Sequence, residues 1–184
     1  MSTLSAGTRP QHQSPAIVRA VAVTLLVLLT LVVQVTVLPY FSVADVTPNL
    51  VLVVVVAAAL ARGSEYGAVI GFASGLLLDL APPADHIAGR WALALVLVGY
   101  LAGRVRIDTQ YSVVARIITV AACSFVGASV YALSGVVLRD GAWDLGQMLP
   151  VIGISVVWDV LMAPLVLPAV GALLARLRGS RAAD

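Results

Sequence analysis

The chain has 184 residues, of which 61% are hydrophobic and only 11% charged, and its mean hydropathy is +1.05. Soluble domains use roughly 45–50% apolar residues, so the composition excludes a soluble globular fold and points to an all-α integral membrane protein. A net charge of +2 without a basic cluster interleaved with aromatics excludes a nucleic-acid surface, and the single cysteine, Cys123, excludes an intramolecular disulfide or a multi-cysteine metal centre.

Residues 1–16 are polar, with Gly7, Pro10 and Pro15, and read as a disordered cytoplasmic tail. The apolar run over 17–38 is longer than a signal-peptide core and lacks a small-residue cleavage site after it, so it is expected to remain as the first span. Arg19, one turn in, reads as a snorkelling side chain. Gln34 reads as an interhelical hydrogen bonder, and Pro39 ends the run. Thr47-Pro48-Asn49 opens a second span reaching Arg62, with Thr47 as cap and Pro48 in the first turn. A third runs over 64–80 and stops before Pro82-Pro83. A crossing takes about 20 apolar residues. These two segments therefore either cross a thinned bilayer or shelter behind neighbours.

The fourth span covers 91–103 or continues to Val105, and the fifth covers 113–138. The sixth covers 149–175, and Pro164 and Pro168 are its expected bending points. One six-helix domain thus occupies 17–175, followed by a basic cytoplasmic tail over 176–184. Short loops make sequential helices neighbours.

Arginines give the orientation, because basic residues accumulate on the cytoplasmic side. With the N-terminus inside, Arg9, Arg19, Arg62, Arg104, Arg106, Arg116, Arg176, Arg178 and Arg181 fall inside, and only Arg90 and Arg139 outside. That split alternates loop by loop, so it supports six spans with both termini in the cytoplasm of a multi-pass inner-membrane protein.

Gly63, Gly67, Gly71 and Gly75 recur every four residues and end on Asp79, and Gly99 and Gly103 repeat the spacing in the fourth span. In lipid, helices associate through close packing across small residues. The stripe therefore requires a partner helix, either the chain's own or another protein's. Ionisable residues within spans are functional suspects. Asp79 ends the third span at the outer interface, where water or a foreign helix could solvate it. Asp159 lies about ten residues into the sixth span, ~15 Å deep, and needs hydrogen-bond partners or a proton. It reads first as a structural polar contact, with a ligand or partner contact as the alternative. Asn49 sits at the outer level of Asp79, and a hydrogen bond between them would link two helices. Arg90 and Trp91 open the fourth span, Trp91 as an interfacial anchor. Cys123 reads as a small buried hydrophobe.

Catalytic patterns are not met. Phe72-Ala73-Ser74-Gly75 lacks the first glycine of an intramembrane serine protease, and His12 and His86 fall in the tail and a loop. Asp79 and Asp159 differ in depth and lack the Gly-x-Gly-Asp setting of aspartyl membrane proteases. No phosphate loop, Cys/His cluster or cofactor motif is present, and the expectation is a protein that is not an enzyme and carries no cofactor.

Pro48-Asn49-Leu50, then Gly67-x-x-x-Gly71-Phe72-x-x-Gly75-Leu76-x-x-Asp79, then Ala92-Leu93 and Gly99-Tyr100-Leu101-Ala102-Gly103 resemble the rod shape-determining protein MreD family. Length and span number agree along the whole chain, while the diagnostic pieces lie within 48–103. The family often has a glycine-containing loop after the aspartate, where this chain has Pro82-Pro83 and a distant Gly89. The resemblance implies a non-enzymatic subunit of the bacterial rod complex that builds lateral peptidoglycan and sets cell shape. Its implied partners are single-span MreC, the MreB filament, a RodA-type glycosyltransferase with its paired transpeptidase, and membrane lipid. It also implies a fold similar to the six-helix S components of energy-coupling-factor transporters. Under it, the face of Gly67, Gly71 and Gly75 receives either a neighbouring span or the MreC helix. The rival from another class is a small-molecule uptake subunit with an outer-half pocket lined by Asn49, Asp79, Trp91 and Asp159.

Overall fold

The computed structural model describes residues 15–82, 87–106, 112–139 and 145–179. They form six α-helices: α1 (Pro15–Thr36), α2 (Leu50–Arg62), α3 (Ser64–Leu80), α4 (Arg90–Arg104), α5 (Val113–Val137) and α6 (Leu145–Gly179). The chain is an all-α membrane protein. Among the described residues, three helices are long and apolar enough to cross a bilayer by themselves, over Ile17–Thr36, Val113–Val137 and Met148–Leu177. At 1.5 Å per residue, α2, α3 and α4 are only about 20–25 Å long. They lie together, with α2 packed against both α3 and α4.

Residues 1–14 of the tail expected over 1–16 and the last residues, 180–184, lie outside the described residues, as do residues 83–86, 107–111 and 140–144 of the loops after α3, α4 and α5. α1 begins at Pro15, two residues before the expected start, because proline fits a first helical turn whose N–H groups have no intrahelical partner. At the other end α6 takes up residues 176–179, which were expected to belong to the tail. It remains one helix through Pro150, Pro164 and Pro168.

The hub is α2. Its sequence is apolar all round and small, so it suits a helix enclosed on every side. Val51 to Ala59 are all buried. α3, α4, α5 and α6 each pack on it, and α1 leans on its flank with slighter contact to α3. Leu95 and Val98 of α4, Val120 and Cys123 of α5, and Val166, Val170 and Leu174 of α6 complete the core. The outward faces are apolar too: Val21, Leu25 and Leu29 of α1, Ile118 and Phe125 of α5, and Leu161 and Leu165 of α6 are all exposed. Such surfaces fit hydrocarbon and not water.

α3 and α4 form an antiparallel hairpin along the glycine stripe. A Cβ on Gly67 would run into the Gly99 carbonyl, one on Gly71 into that of Leu95, and one on Gly75 into the backbone of Trp91 and Ala92. Gly103 sits as tightly against Gly63 and Ser64. The Gly67–Gly75 surface is thus filled by the chain's own α4. Gly63 makes the corner between α2 and α3 with φ +103, a conformation open to glycine and strained for other residues.

Gly71→Leu is expected to abolish accumulation of folded protein, since backbone blocks the new side chain and overpacking costs about 1–3 kcal/mol even where neighbours can move. Gly171→Ala, with nothing within 4 Å of the added atom, is expected to leave thermal stability in detergent unchanged. Fluorescence-detected size exclusion with a melting series measures both. The buried Ser74 hydroxyl has no hydrogen-bond partner among the described residues. Ser74→Ala removes an unpaired polar group and leaves none behind, so its melting temperature is expected to equal or exceed that of the parent.

Candidate functional site

Two carboxylates are buried among the described residues, Asp159 fully and Asp79 nearly so. Each is bonded to the beginning of another helix. The first four N–H groups of a helix have no intrahelical acceptor, and inside a membrane water does not supply one.

The beginning of α2 is the first such place. The N-cap is Asn49, not Thr47: its Oδ1 accepts from Leu52 N at 3.0 Å, and Pro48 stays outside the helix. Asn49 N donates to Asp159 Oδ1 at 2.7 Å, and the other Asp159 oxygen accepts from Ser124 Oγ of α5 at 2.6 Å. Gln34 of α1 bonds twice to the same turn, accepting from Leu50 N at 2.7 Å and donating to the Pro48 carbonyl at 2.9 Å. One polar knot therefore joins α1, α2, α5 and α6.

Asp79 forms the second. It sits in the last turn of α3, and Oδ2 accepts from Gly89 N at 2.9 Å and Ala92 N at 3.0 Å, while Oδ1 accepts from Trp91 N at 3.1 Å. A negative group at a helix N-terminus is also favoured by the helix dipole. Asp79 was expected at the wet outer interface. The structure buries its side chain, and the backbone at the start of α4 takes the place of water. The hydrogen bond between Asn49 and Asp79 that would have linked two helices is not formed, and the two side chains serve different helices.

The start of α4 then reaches α5. Arg90 is buried, donates from Nη2 to the Tyr131 carbonyl at 2.8 Å and from Nε to Ser134 Oγ at 3.3 Å, and lies 4.0 Å from the centre of the Tyr131 ring. Trp91 stacks on the same ring with centroids 4.3 Å apart. Gly135 leaves the space that the guanidinium occupies. Trp91 is thus part of the packing between α4 and α5. Arg90, Tyr131, Ser124 and Ser134 were not foreseen as site residues. The sequence signal for Arg90 was an arginine directly after Gly89, which the structure shows to be the left-handed N-cap of α4.

Between the two knots lies a cavity of about 180 Å³, bordered by Gln34, Asn49, Trp91, Tyr131, Met148 and Ser155, among others. Asp45 and Thr47 close it from a tight turn in which Ala44 and Asp45 both have positive φ. Neither Asp79 nor Asp159 is part of its lining. Of the pocket expected from the sequence, Asn49 and Trp91 meet here and the two acids do not.

A family model for the rod shape-determining protein MreD matches residues 14–171, which takes in both knots and nearly the whole bundle. The chain belongs to the MreD family. No curated protein and no solved structure matches it. Membership makes this a membrane protein of the cell-shape rod complex. In this MreD chain the motif aspartate, Asp79, holds the α3–α4 hairpin, and the Pro48-Asn49-Leu50 motif is the bonded start of α2.

Asp159→Asn is expected to fold with a small loss, because an amide oxygen can still accept from Asn49 N while its nitrogen donates to Ser124. Asp159→Leu leaves both donors unpaired and should lose about 1–3 kcal/mol for each. Asp79→Asn is expected to cost more than Asp159→Asn, since a single amide oxygen replaces two that hold three N–H groups. Melting temperatures of the three variants in one detergent establish the order.

Proposed function

We propose that this chain is a non-enzymatic scaffold subunit of the bacterial cell-wall elongation machinery. It sits in the cytoplasmic membrane as a multi-pass protein with both termini inside, docks single-span MreC, and works beside MreB, a RodA-type glycosyltransferase and its paired transpeptidase. The observation that carries the reading is the family match over residues 14–171. The buried chemistry supports it: Asp79 and Asp159 are committed to backbone N–H groups at helix starts. The distribution of charge supports the orientation. Arg19 and Arg62 share one cleft, and Arg106 and Arg116 share another beside Ala61, so these arginines gather at one end of the bundle, the cytoplasmic one under this reading.

With α4 seated on the glycine stripe, the partner helix needs another surface. An apolar groove on the first half of α6, formed by Pro150, Gly153, Val157, Trp158 and Leu161 with Val43 at its rim, has the required character. Nothing lies within 4 Å of a Cβ added at Gly153, so the α6 backbone is open to close approach there. The reading assigns this groove to the MreC helix.

The outer cavity is the observation on the side of a small-molecule uptake subunit. At about 180 Å³ it falls below the roughly 300–1,000 Å³ of typical ligand pockets. Affinity purification from mildly cross-linked native membranes is expected to recover MreC, RodA and the transpeptidase. Recovery of a transporter's coupling subunit and ATPases would overturn the scaffold reading. Gly153→Trp is expected to lower MreC recovery several-fold at unchanged abundance. Unaltered recovery would move the docking surface elsewhere.

A further inference from the structure

The arginine-rich end holds a cleft that the scaffold role leaves unused. It lies between α1 and the α2–α3 corner and measures about 440 Å³. Arg19, Ala20 and Val23 form one wall, and Arg62, Tyr66 and Ile70 the other.

Arg62 is the last residue of α2, and Gly63 turns the chain at once into α3. The guanidinium is consequently held against the bundle. Its Nε and Nη2 are buried and find no hydrogen-bond partner among the described residues. The Tyr66 ring centre lies 5.2 Å from the guanidinium carbon. A ring face balances part of the charge but offers no lone pair to the N–H groups. Glu65, the nearest acid in sequence, is exposed on the first turn of α3. A desolvated cationic donor with no acceptor is costly, so the arrangement calls for an anion from outside the chain.

The shape of the cleft narrows the choice. Arg19 adds a second positive group on the facing wall beside Thr24, and Ala20, Val23 and Ile70 give the cleft an apolar stretch. Positive groups beside an apolar channel match a phosphate with hydrocarbon attached. Under the proposed orientation, the arginine-rich end faces the leaflet that carries anionic lipid. We propose that this cleft binds one anionic phospholipid, with its phosphate between Arg62 and Arg19 and its first acyl methylenes against Ala20, Val23 and Ile70. The bound lipid then ties α1, the most lightly packed helix, to the α2–α3 corner. This rests on membrane insertion and is independent of MreC docking.

The test is native mass spectrometry of the full chain in detergent, titrated with phosphatidylglycerol or with phosphatidylcholine of the same acyl chains. Wild type is expected to hold phosphatidylglycerol about fivefold more tightly, the effect of roughly one arginine–phosphate contact. Arg62→Gln should erase that preference, while Arg104→Gln, on the exposed surface, should keep it. Ala20→Trp fills the cleft from an exposed position and leaves both arginines in place. It should also erase the preference, and it keeps the test decisive if Arg62→Gln does not fold. Equal binding of the two lipids by wild type, or a preference that survives Ala20→Trp, would overturn the proposal. Displacement of phosphatidylglycerol by millimolar inorganic phosphate would overturn the lipid assignment in favour of a free-anion site.

Discussion

The beginning of α2 lies inside the bundle, and three of its backbone N–H groups are bonded to side chains: Asn49 N to Asp159, Leu50 N to Gln34, and Leu52 N to Asn49. In hydrocarbon an unpaired backbone donor costs far more than in water, so a helix can begin there only if the protein supplies acceptors. Supplying them fixes the rest of the bundle. Gln34 sets the position of α1, Asp159 that of α6, and Ser124 brings α5 to the same carboxylate. Below this knot the apolar, small surface of α2 is enclosed on all sides and closes the core.

The α3–α4 hairpin meets the same constraint with a different division of labour. Along its length, glycines bring the two backbones into contact, and the interface gains dispersion rather than hydrogen bonds. At its end, where α4 begins with unpaired donors, Asp79 provides both carboxylate oxygens. The combination explains why a stripe of glycines ends in an acid. Glycines alone would leave the start of α4 unsatisfied, and an aspartate alone would not draw the helices close enough to reach it. Arg90 follows directly, carried by the same turn into the gap that Gly135 leaves on α5.

The helices of this architecture were legible in the sequence, because in a membrane chain hydropathy and helix length both follow from one solvent. The four-residue glycine spacing read directly as a close helix contact, although spacing alone does not say which helix fills it. The polar pairings were harder. Thr47 and Asn49 are both good caps, and the choice of Asn49 depends on Asp159, 110 residues away, accepting from its N–H. Asp79 read as an interfacial residue because its helix ends there. Its burial comes from α4 folding back over it, a tertiary event with no local signature. Gln34 was recognisable as a hydrogen bonder, while its partners, the Pro48 carbonyl and Leu50 N–H, are backbone groups that no side-chain pattern announces.

The consequence for function is that the two buried acids, the residues a sequence reading most readily suspects of chemistry, are spent on holding helix starts. What distinguishes one part of the exterior from another must then be shape and charge on an otherwise uniform apolar surface. Among the places that depart from that uniformity are the open groove at Gly153 on α6 and the arginine-lined cleft beside α1. Both connect to α2, the first through α6, whose Asp159 bonds its beginning, and the second through Arg62, its last residue. A single enclosed helix about 20 Å long, with Val51 to Ala59 buried, gives little room for its ends to move independently. α2 is therefore a strut between the two surfaces, and its exact seating is set by the acceptors that the membrane interior obliges the protein to provide.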